Sequence, residues 1–212
     1  MVVTTLHLLR HGEVHNPTGV LYGRLPGYGL SERGRQMAER IASHVAGRDI
    51  TAVIASPLQR AQETAAPIAA ALGLKITTDP RLLEAENQFE GLTFGIGDGS
   101  LRHPRFWPLL RNPFRPSWGE PYRQQADRVL AAIGSARETA RGHEALLVSH
   151  QLPIWVTRLA LSDKRLWHDP RHRQCSLASL TSFVFDGDRL AEINYSEPAL
   201  DLLPGASTVA GA

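Results

Sequence analysis

Three stretches of this chain put arginine or histidine just where an apolar run stops. Arg10-His11-Gly12-Glu13 closes "TLHLL", Arg60 follows "ITAVIAS" by four residues, and Ser149-His150 ends "EALLVSH". A carboxyl group, Glu84, lies in an aperiodic loop that follows a third short apolar run. Together they suit phosphoryl transfer through an imidazole. A neutral histidine is a good nucleophile toward phosphorus, and its ordinary pKa of ~6.5 leaves much of it neutral near pH 7. His11 takes that role. Arg10, Arg60 and His150 would neutralise the equatorial oxygens, each charge-assisted bond contributing roughly 1.5 to 3 kcal/mol. The departing alkoxide needs a proton, which requires a carboxyl group kept protonated beside the substrate's charge, and Glu84 is the candidate.

Such a set works only if the strand ends converge. Thr5 to Leu9 reads as a short buried strand, and from Ser31 the apolar residues Met37, Ala38, Ile41, Ala42 and Val45 recur at helical spacing. "ITAVIAS" is a second strand. Ser56 and Pro57 have the form of an N-cap and first turn, with a helix continuing to Gly73 and a kink expected at Pro67. Lys75 to Thr77 gives a third strand, "EALLVSH" a fourth, and "GEPYRQQADRVLAAIGSARETARG" and "QLPIWVTRLAL" two proline-initiated helices. "SLTSFVF", "DGD" and "RLAEINY" form a hairpin pattern. Strands alternating with helices predict a three-layer α/β fold: a doubly wound, mostly parallel sheet, helices on both faces and an antiparallel edge strand from the hairpin. In open sheets of this kind ligands bind beyond the carboxyl ends of the strands, where all these groups stand.

The chain's 212 residues fit one domain. It is expected over 1–198, with an Arg-, Pro- and aromatic-rich lid insertion at about 98–121 and a disordered tail over 199–212. A net charge of +2, from 23 basic and 21 acidic residues, is too small for a dedicated nucleic-acid binder. The lysines are Lys75 and Lys164 alone. No apolar run approaches a membrane span, and the single cysteine, Cys175, excludes an internal disulfide. A cytoplasmic protein acting on a small phosphorylated metabolite is expected, with a homodimer as an open option and neither nucleic acid nor membrane as partner.

In this order the pieces resemble the histidine phosphatase superfamily, the clan of cofactor-dependent phosphoglycerate mutases and many phosphatases. Its Arg-His-Gly-Glu signature stands at Arg10 to Glu13, its second signature in "SPLQRAQETA" from Ser56 to Ala65, its acid loop in "LLEAENQFEG", and its Ser-His strand end at Ser149-His150. "YGRLPGYGLSERG" is similar to the stretch that lines the family's site and starts its first helix. The resemblance implies a phosphoglycerate mutase-like fold, a phosphohistidine on His11, a phosphate clamp of Arg10, Arg60 and His150, and proton donation by Glu84. It implies no metal and no cofactor. The family's asparagine six residues beyond the nucleophile falls on Pro17, so Asn16, one place earlier, is the nearest candidate for a further phosphate ligand. The acid loop is one residue shorter than the common form, with Glu86 in reserve for Glu84.

A phosphatase is favoured over a mutase. The mutases that this chain resembles carry an adjacent arginine pair in the lid, whereas Arg102, Arg105, Arg111 and Arg115 alternate here with prolines. A non-catalytic phosphate sensor is the other alternative, although a binder has no need of a proton donor. His15, four residues after His11, has zinc-like spacing only on a helix, which Gly12 argues against. His7 reads as a satisfied core or surface residue, Glu13 as support and Cys175 as inert; in the basic loop from Lys164 to Cys175, Arg165, His168, Arg171, His172 and Arg173 could rim the pocket or face a partner subunit, with surface the better reading.

Overall fold

The structure is a computed structural model that describes residues 2–93, 104, 107, 108, 112 and 118–206. β1 (Val3–Arg10) leads to α1 (Glu32–Val45), β2 (Ile50–Ala55), α2 (Gln59–Leu72) and β3 (Ile76–Thr78). α3 (Tyr122–Thr139), β4 (Glu144–Ser149), α4 (Gln151–Leu161), β5 (Leu180–Asp186) and β6 (Arg189–Ser196) complete the chain. Among the described residues the sheet has six strands in the order β3-β2-β4-β1-β5-β6. β1 to β4 run parallel, β5 is antiparallel to β1, and β6 is antiparallel to β5. The hairpin β5–β6 thus supplies the expected antiparallel edge, with β6 outermost. Gly187, at a φ of +59°, and Asp188 make the tight turn between paired Asp186 and Arg189.

Alternation along the central strands serves both faces. Leu9, Leu146 and Val148 pack with Met37, Ile41 and Ile68 of α1 and α2, whereas Leu6, Leu8 and Leu147 pack with Val129 and Ile133 of α3 and Ile154 of α4. Strands buried on both sides read as continuous apolar runs, which is why β1 and β4 were visible in the sequence.

The chain leaves β1, skips a place to β2, moves out to β3 and returns to fill the gap with β4. That reversal makes the carboxyl ends of β1, β4 and β2 neighbours. Arg10 lies opposite Ser149 and Ala55 opposite Val148, so His11, His150 and Ser56 emerge side by side.

Several local expectations are corrected. The N-cap of α2 is Leu58, without a side-chain bond, rather than Ser56, whose hydroxyl meets His150 at 2.8 Å and accepts the Leu58 N–H at 3.4 Å. α2 does run through Pro67 to a left-handed cap at Gly73, as the sequence predicts. The expected disorder after Pro198 does not describe 199–206. There a 3-10 turn at Leu200–Leu202 docks on α1 through a two-bond Arg40–Asp201 pair, and Leu202, Leu203 and Ala206 close the edge of the core. The four arginines expected in the lid lie outside the described residues.

Candidate active site

Arg10 is the last residue of β1, and His11 begins the turn that follows. His11 is fully buried, and its Nδ1 bonds the Gly12 carbonyl at 2.8 Å. A carbonyl only accepts, so that bond places the imidazole proton on Nδ1 and leaves a lone pair on Nε2. Arg60 confirms the polarity by donating from Nε to His11 Nε2 at 3.2 Å. Burial holds the His11 pKa well below the ordinary imidazole range, and the charges of Arg60 and Arg10 push the same way. The ring is thus neutral, with one defined unprotonated nitrogen, Nε2, which accepts from Arg60.

Close backbone contact fixes this turn. A Cβ on Gly34 would lie 2.0 Å from the Glu13 carbonyl oxygen, and one on Gly12 would lie 2.5 Å from the Gly34 oxygen, so glycine is required on both sides. Ser31 caps α1 by accepting from the Gly34 N–H at 3.0 Å and donates its hydroxyl to Glu13. Thr64, on α2, accepts the Gly12 N–H at 3.1 Å. Glu13 is therefore a strut between the turn and the start of α1.

Arg60 stands on the first turn of α2 and is only 1% exposed. Its Nη2 donates to the Gly23 carbonyl at 2.7 Å, and its guanidinium carbon lies 4.8 Å from the centre of the Tyr22 ring. The stretch from Tyr22 to Gly34 thus both lines the site and leads into α1. Arg10 Nη1 donates to the Cys175 carbonyl at 2.7 Å. His150 is fully buried, its ring centre 5.1 Å from that of His11. Burial, then the nearby Arg60, holds its pKa well below the usual value. Its Nε2 meets Ser56 Oγ, while Nδ1 has no partner among the described residues.

Glu84 is 3% exposed. Oε1 accepts the Ala85 N–H at 2.8 Å, and Oε2 has no partner among the described residues. Burial raises its pKa against the opposing pull of the Ala85 N–H, Arg60, Arg173 and Arg10. A carboxyl group whose pKa burial raises holds its proton more readily than an exposed one, which suits it to donate a proton when negative charge develops beside it.

The other sequence candidates fall elsewhere. Glu86 is largely exposed and pairs with Arg24 at 2.8 Å. Asn16 donates its amide N–H to the Val20 carbonyl and accepts the Val20 N–H on its Oδ1, stapling its own loop. His15 is exposed, and His7 is a core residue in the middle of β1, bonded to Ser182 and Glu144. Burial pushes the Cys175 thiol up to about 11, consistent with an inert residue.

Sequence reasoning missed the clamp on the acid loop. Arg24 donates to the Glu84 carbonyl at 2.7 Å and Arg128 to the Arg81 carbonyl at 2.6 Å, and buried Glu120 bridges the two guanidinium groups. It also placed His168 and Arg173 at the surface, whereas both are partly buried and Arg173 lies close enough to Glu84 for its charge to act on that carboxyl. No motif marks these residues, because they meet only through long-range packing.

Comparison with known proteins identifies the family. A family model described as the histidine phosphatase superfamily (branch 1) matches residues 6–197. The chain is 61% identical over 196 residues to an uncharacterised protein of Mycobacterium tuberculosis, Rv0525, covering 92% of this chain and 97% of that one. It is 34% identical over 181 residues to a protein of Yersinia enterocolitica named as a probable phosphoglycerate mutase, GpmB, covering 81% of each. The solved mycobacterial glucosyl-3-phosphoglycerate phosphatase Rv2419c superposes with a TM-score of 0.69 at 27% identity, covering 86% of this chain and 90% of that one. With its four motifs in order and a match over nearly its whole described length, the chain belongs to the histidine phosphatase superfamily, branch 1.

Proposed function

We propose that this protein is a metal-independent phosphomonoester hydrolase working through a phosphohistidine. The observation that carries the reading is the His11 ring itself: Nδ1 is tied to the Gly12 carbonyl, and Nε2 is neutral and unprotonated beside Arg60. His11 Nε2 attacks phosphorus, and the bond to the leaving oxygen breaks. Arg10, Arg60 and His150 stabilise the charge on the three equatorial oxygens. The Ser56 hydroxyl accepts the Leu58 N–H, which favours donation of its own proton to His150 Nε2. The His150 proton then sits on Nδ1, available to a phosphoryl oxygen. Glu84 gives its proton to the departing alkoxide. The carboxylate so formed takes a proton from water, whose oxygen attacks the phosphohistidine; phosphate leaves and His11 returns to its starting form.

Incubation with 32P-labelled phosphoester followed by rapid quench tests this reading. Acid-labile, base-stable label on the wild type and none on His11→Ala is the expected result. Label persisting on His11→Ala overturns the nucleophile, and release of phosphate at full rate in that variant overturns the pathway. A mutase, as the name of the Yersinia relative raises, would need priming by a bisphosphorylated substrate and would interconvert phosphoglycerates faster than it released phosphate.

A further inference from the structure

A cavity of about 170 Å3 opens beside Glu84, bordered by that acid and by none of Arg10, His11, Arg60 or His150. Leu21, Trp118, Tyr122 and Leu152 form much of its wall. An apolar cavity of ~150 Å3 holds a benzene ring, so a ring-sized group fits. Glu84, Glu86, Asn87, Glu120, Gln125 and Arg173 interrupt the apolar lining; Glu86 and Glu120 are each paired with Arg24, and Glu120 also with Arg128, which leaves Gln125 and Arg173 as the groups to place against a ligand.

Gln125 is fully buried; it gives its amide N–H to the Glu120 carbonyl at 2.8 Å, and its Oε1 has no partner among the described residues. Buried acceptors are rarely left so, and a hydroxyl or N–H on a ligand would satisfy this one. Arg173 is held by neutral groups. His168 Nδ1 bonds the Leu166 carbonyl at 2.7 Å, which leaves Nε2 to accept from Arg173 Nε at 2.8 Å; Gln151 Oε1 accepts from Nη1 at 3.4 Å. The His168 ring is itself flanked by Tyr122 and Trp155, with ring centres 5.4 and 6.1 Å away. Among the described residues no carboxylate forms a direct ion pair with Arg173, although Glu84 is near enough to feel its charge, so a positioned cation without an ion-pair partner faces the cavity. Because Glu84 borders the same cavity, whatever occupies it adjoins the proton that the leaving group receives.

We propose that this cavity binds the alcohol part of the substrate, and that this alcohol has a ring-sized apolar body carrying a second anionic group that pairs with Arg173. The inference rests on the hydrolase reading above and narrows it to a class of phosphoester.

Benzyl phosphate and 4-carboxybenzyl phosphate differ in the second anion while keeping the carbinol, and hence the demand on Glu84, nearly equal. The wild type is expected to favour the carboxylated ester at least tenfold in kcat/KM, the value of one charge-assisted bond. Arg173→Met should bring the ratio near one, and Arg173→Lys should restore part of it. A wild-type ratio near one overturns the proposal. So does an Arg173→Met variant that slows both esters equally, since Arg173 would then serve the phosphoryl group or the fold. If no phosphoester is turned over, the hydrolase reading fails; calorimetric titration with the two unreactive phosphonate analogues then reads the same affinity ratio, and its absence ends the inference as well.

Discussion

Arg128 and Glu120 meet as a fork, Nε to Oε1 at 2.7 Å and Nη2 to Oε2 at 2.9 Å, and the same guanidinium donates to the Arg81 carbonyl at 2.6 Å. Arg24 approaches Glu120 Oε2 from the other side at 3.1 Å and holds the Glu84 carbonyl. The backbone of the acid loop is therefore hung between two arginines that one buried carboxylate keeps together. This explains how a loop without regular structure can carry a general acid. The returning chain adds to it: Gln88 N–H donates to the Trp118 carbonyl and Glu120 N–H to the Glu86 carbonyl.

Glu120→Ala should leave two arginines facing each other and loosen the Glu84 loop. Removing one partner of a buried pair costs about 3 to 5 kcal/mol; here the partly exposed Arg24 argues for about 2 to 3 kcal/mol. Denaturant melts would read that loss. Beyond stability, kcat on alkyl phosphates should fall more than kcat on p-nitrophenyl phosphate, since only the former depends on a well-placed acid. Equal loss on both would make Glu120 purely structural.

Glu84→Gln separates the acid from the rest of the site. Hydrolysis of esters with poor leaving groups should drop on the order of 100- to 10,000-fold, and that of p-nitrophenyl phosphate far less. Stability should move the other way. The folded pKa of Glu84 is raised, so its contribution is present below the unfolded value near ~4.5 and is lost as pH rises through the folded value. At neutral pH the glutamine variant is expected to melt above the wild type, with the difference closing toward pH 4. A lower melting temperature at pH 7 would contradict the raised pKa.

Gly34→Ala tests the turn that aims His11. Its Cβ would meet the Glu13 carbonyl oxygen at 2.0 Å, and backbone on both sides has no rotamer with which to yield. Overpacking costs typically 1 to 3 kcal/mol, and a clash between main-chain atoms belongs at the upper end of that range or above it. A parallel loss of phosphoenzyme yield in protein that is still folded would show that the His11 turn moved. Wild-type stability and labelling in this variant would show that α1 can shift without consequence.

Much of the nucleophile's side of the site was legible because it obeys local rules. Arg10, His11 and His150 each end a strand that is apolar on both faces, and Arg60 opens a helix whose small residues are unmistakable. Ser56 shows where such rules mislead. Ser-Pro is a good helix start by composition, yet the N-cap is Leu58 and the serine meets His150, a partner ninety-four positions away. Arg24, Glu120 and Arg128 were not legible, and Arg173 was legible only as one of several basic residues that could rim the pocket. Each is a charged residue in a loop or on a helix, and such residues are ordinarily solvated; the acid loop recruits Arg24 and Arg128 through backbone carbonyls, which no sequence pattern reports. The packed tail failed for a related reason: Leu202 and Leu203 look like debris until α1 presents the surface they cover.

His11 and His150 give the fold a predictable weakness in acid. Both are buried and neutral, with pKa values held well below the ordinary one by burial and by neighbouring arginines. In the unfolded chain each titrates near ~6.5. A depressed folded pKa means stability that is fully present above the unfolded value and is lost as pH falls toward the folded one, because the unfolded state takes up protons the native state refuses. Each histidine can contribute a slope of up to about 1.4 kcal/mol per pH unit below ~6.5. Guanidinium melts at successive pH values should therefore show unfolding free energy falling below pH 6.5, with a shallower fall in His11→Asn and in His150→Asn. Phosphate or vanadate should reduce the fall by binding the native state alone. If both variants keep the wild-type slope, the acid sensitivity originates elsewhere; His7, buried and also depressed, is then the next residue to replace.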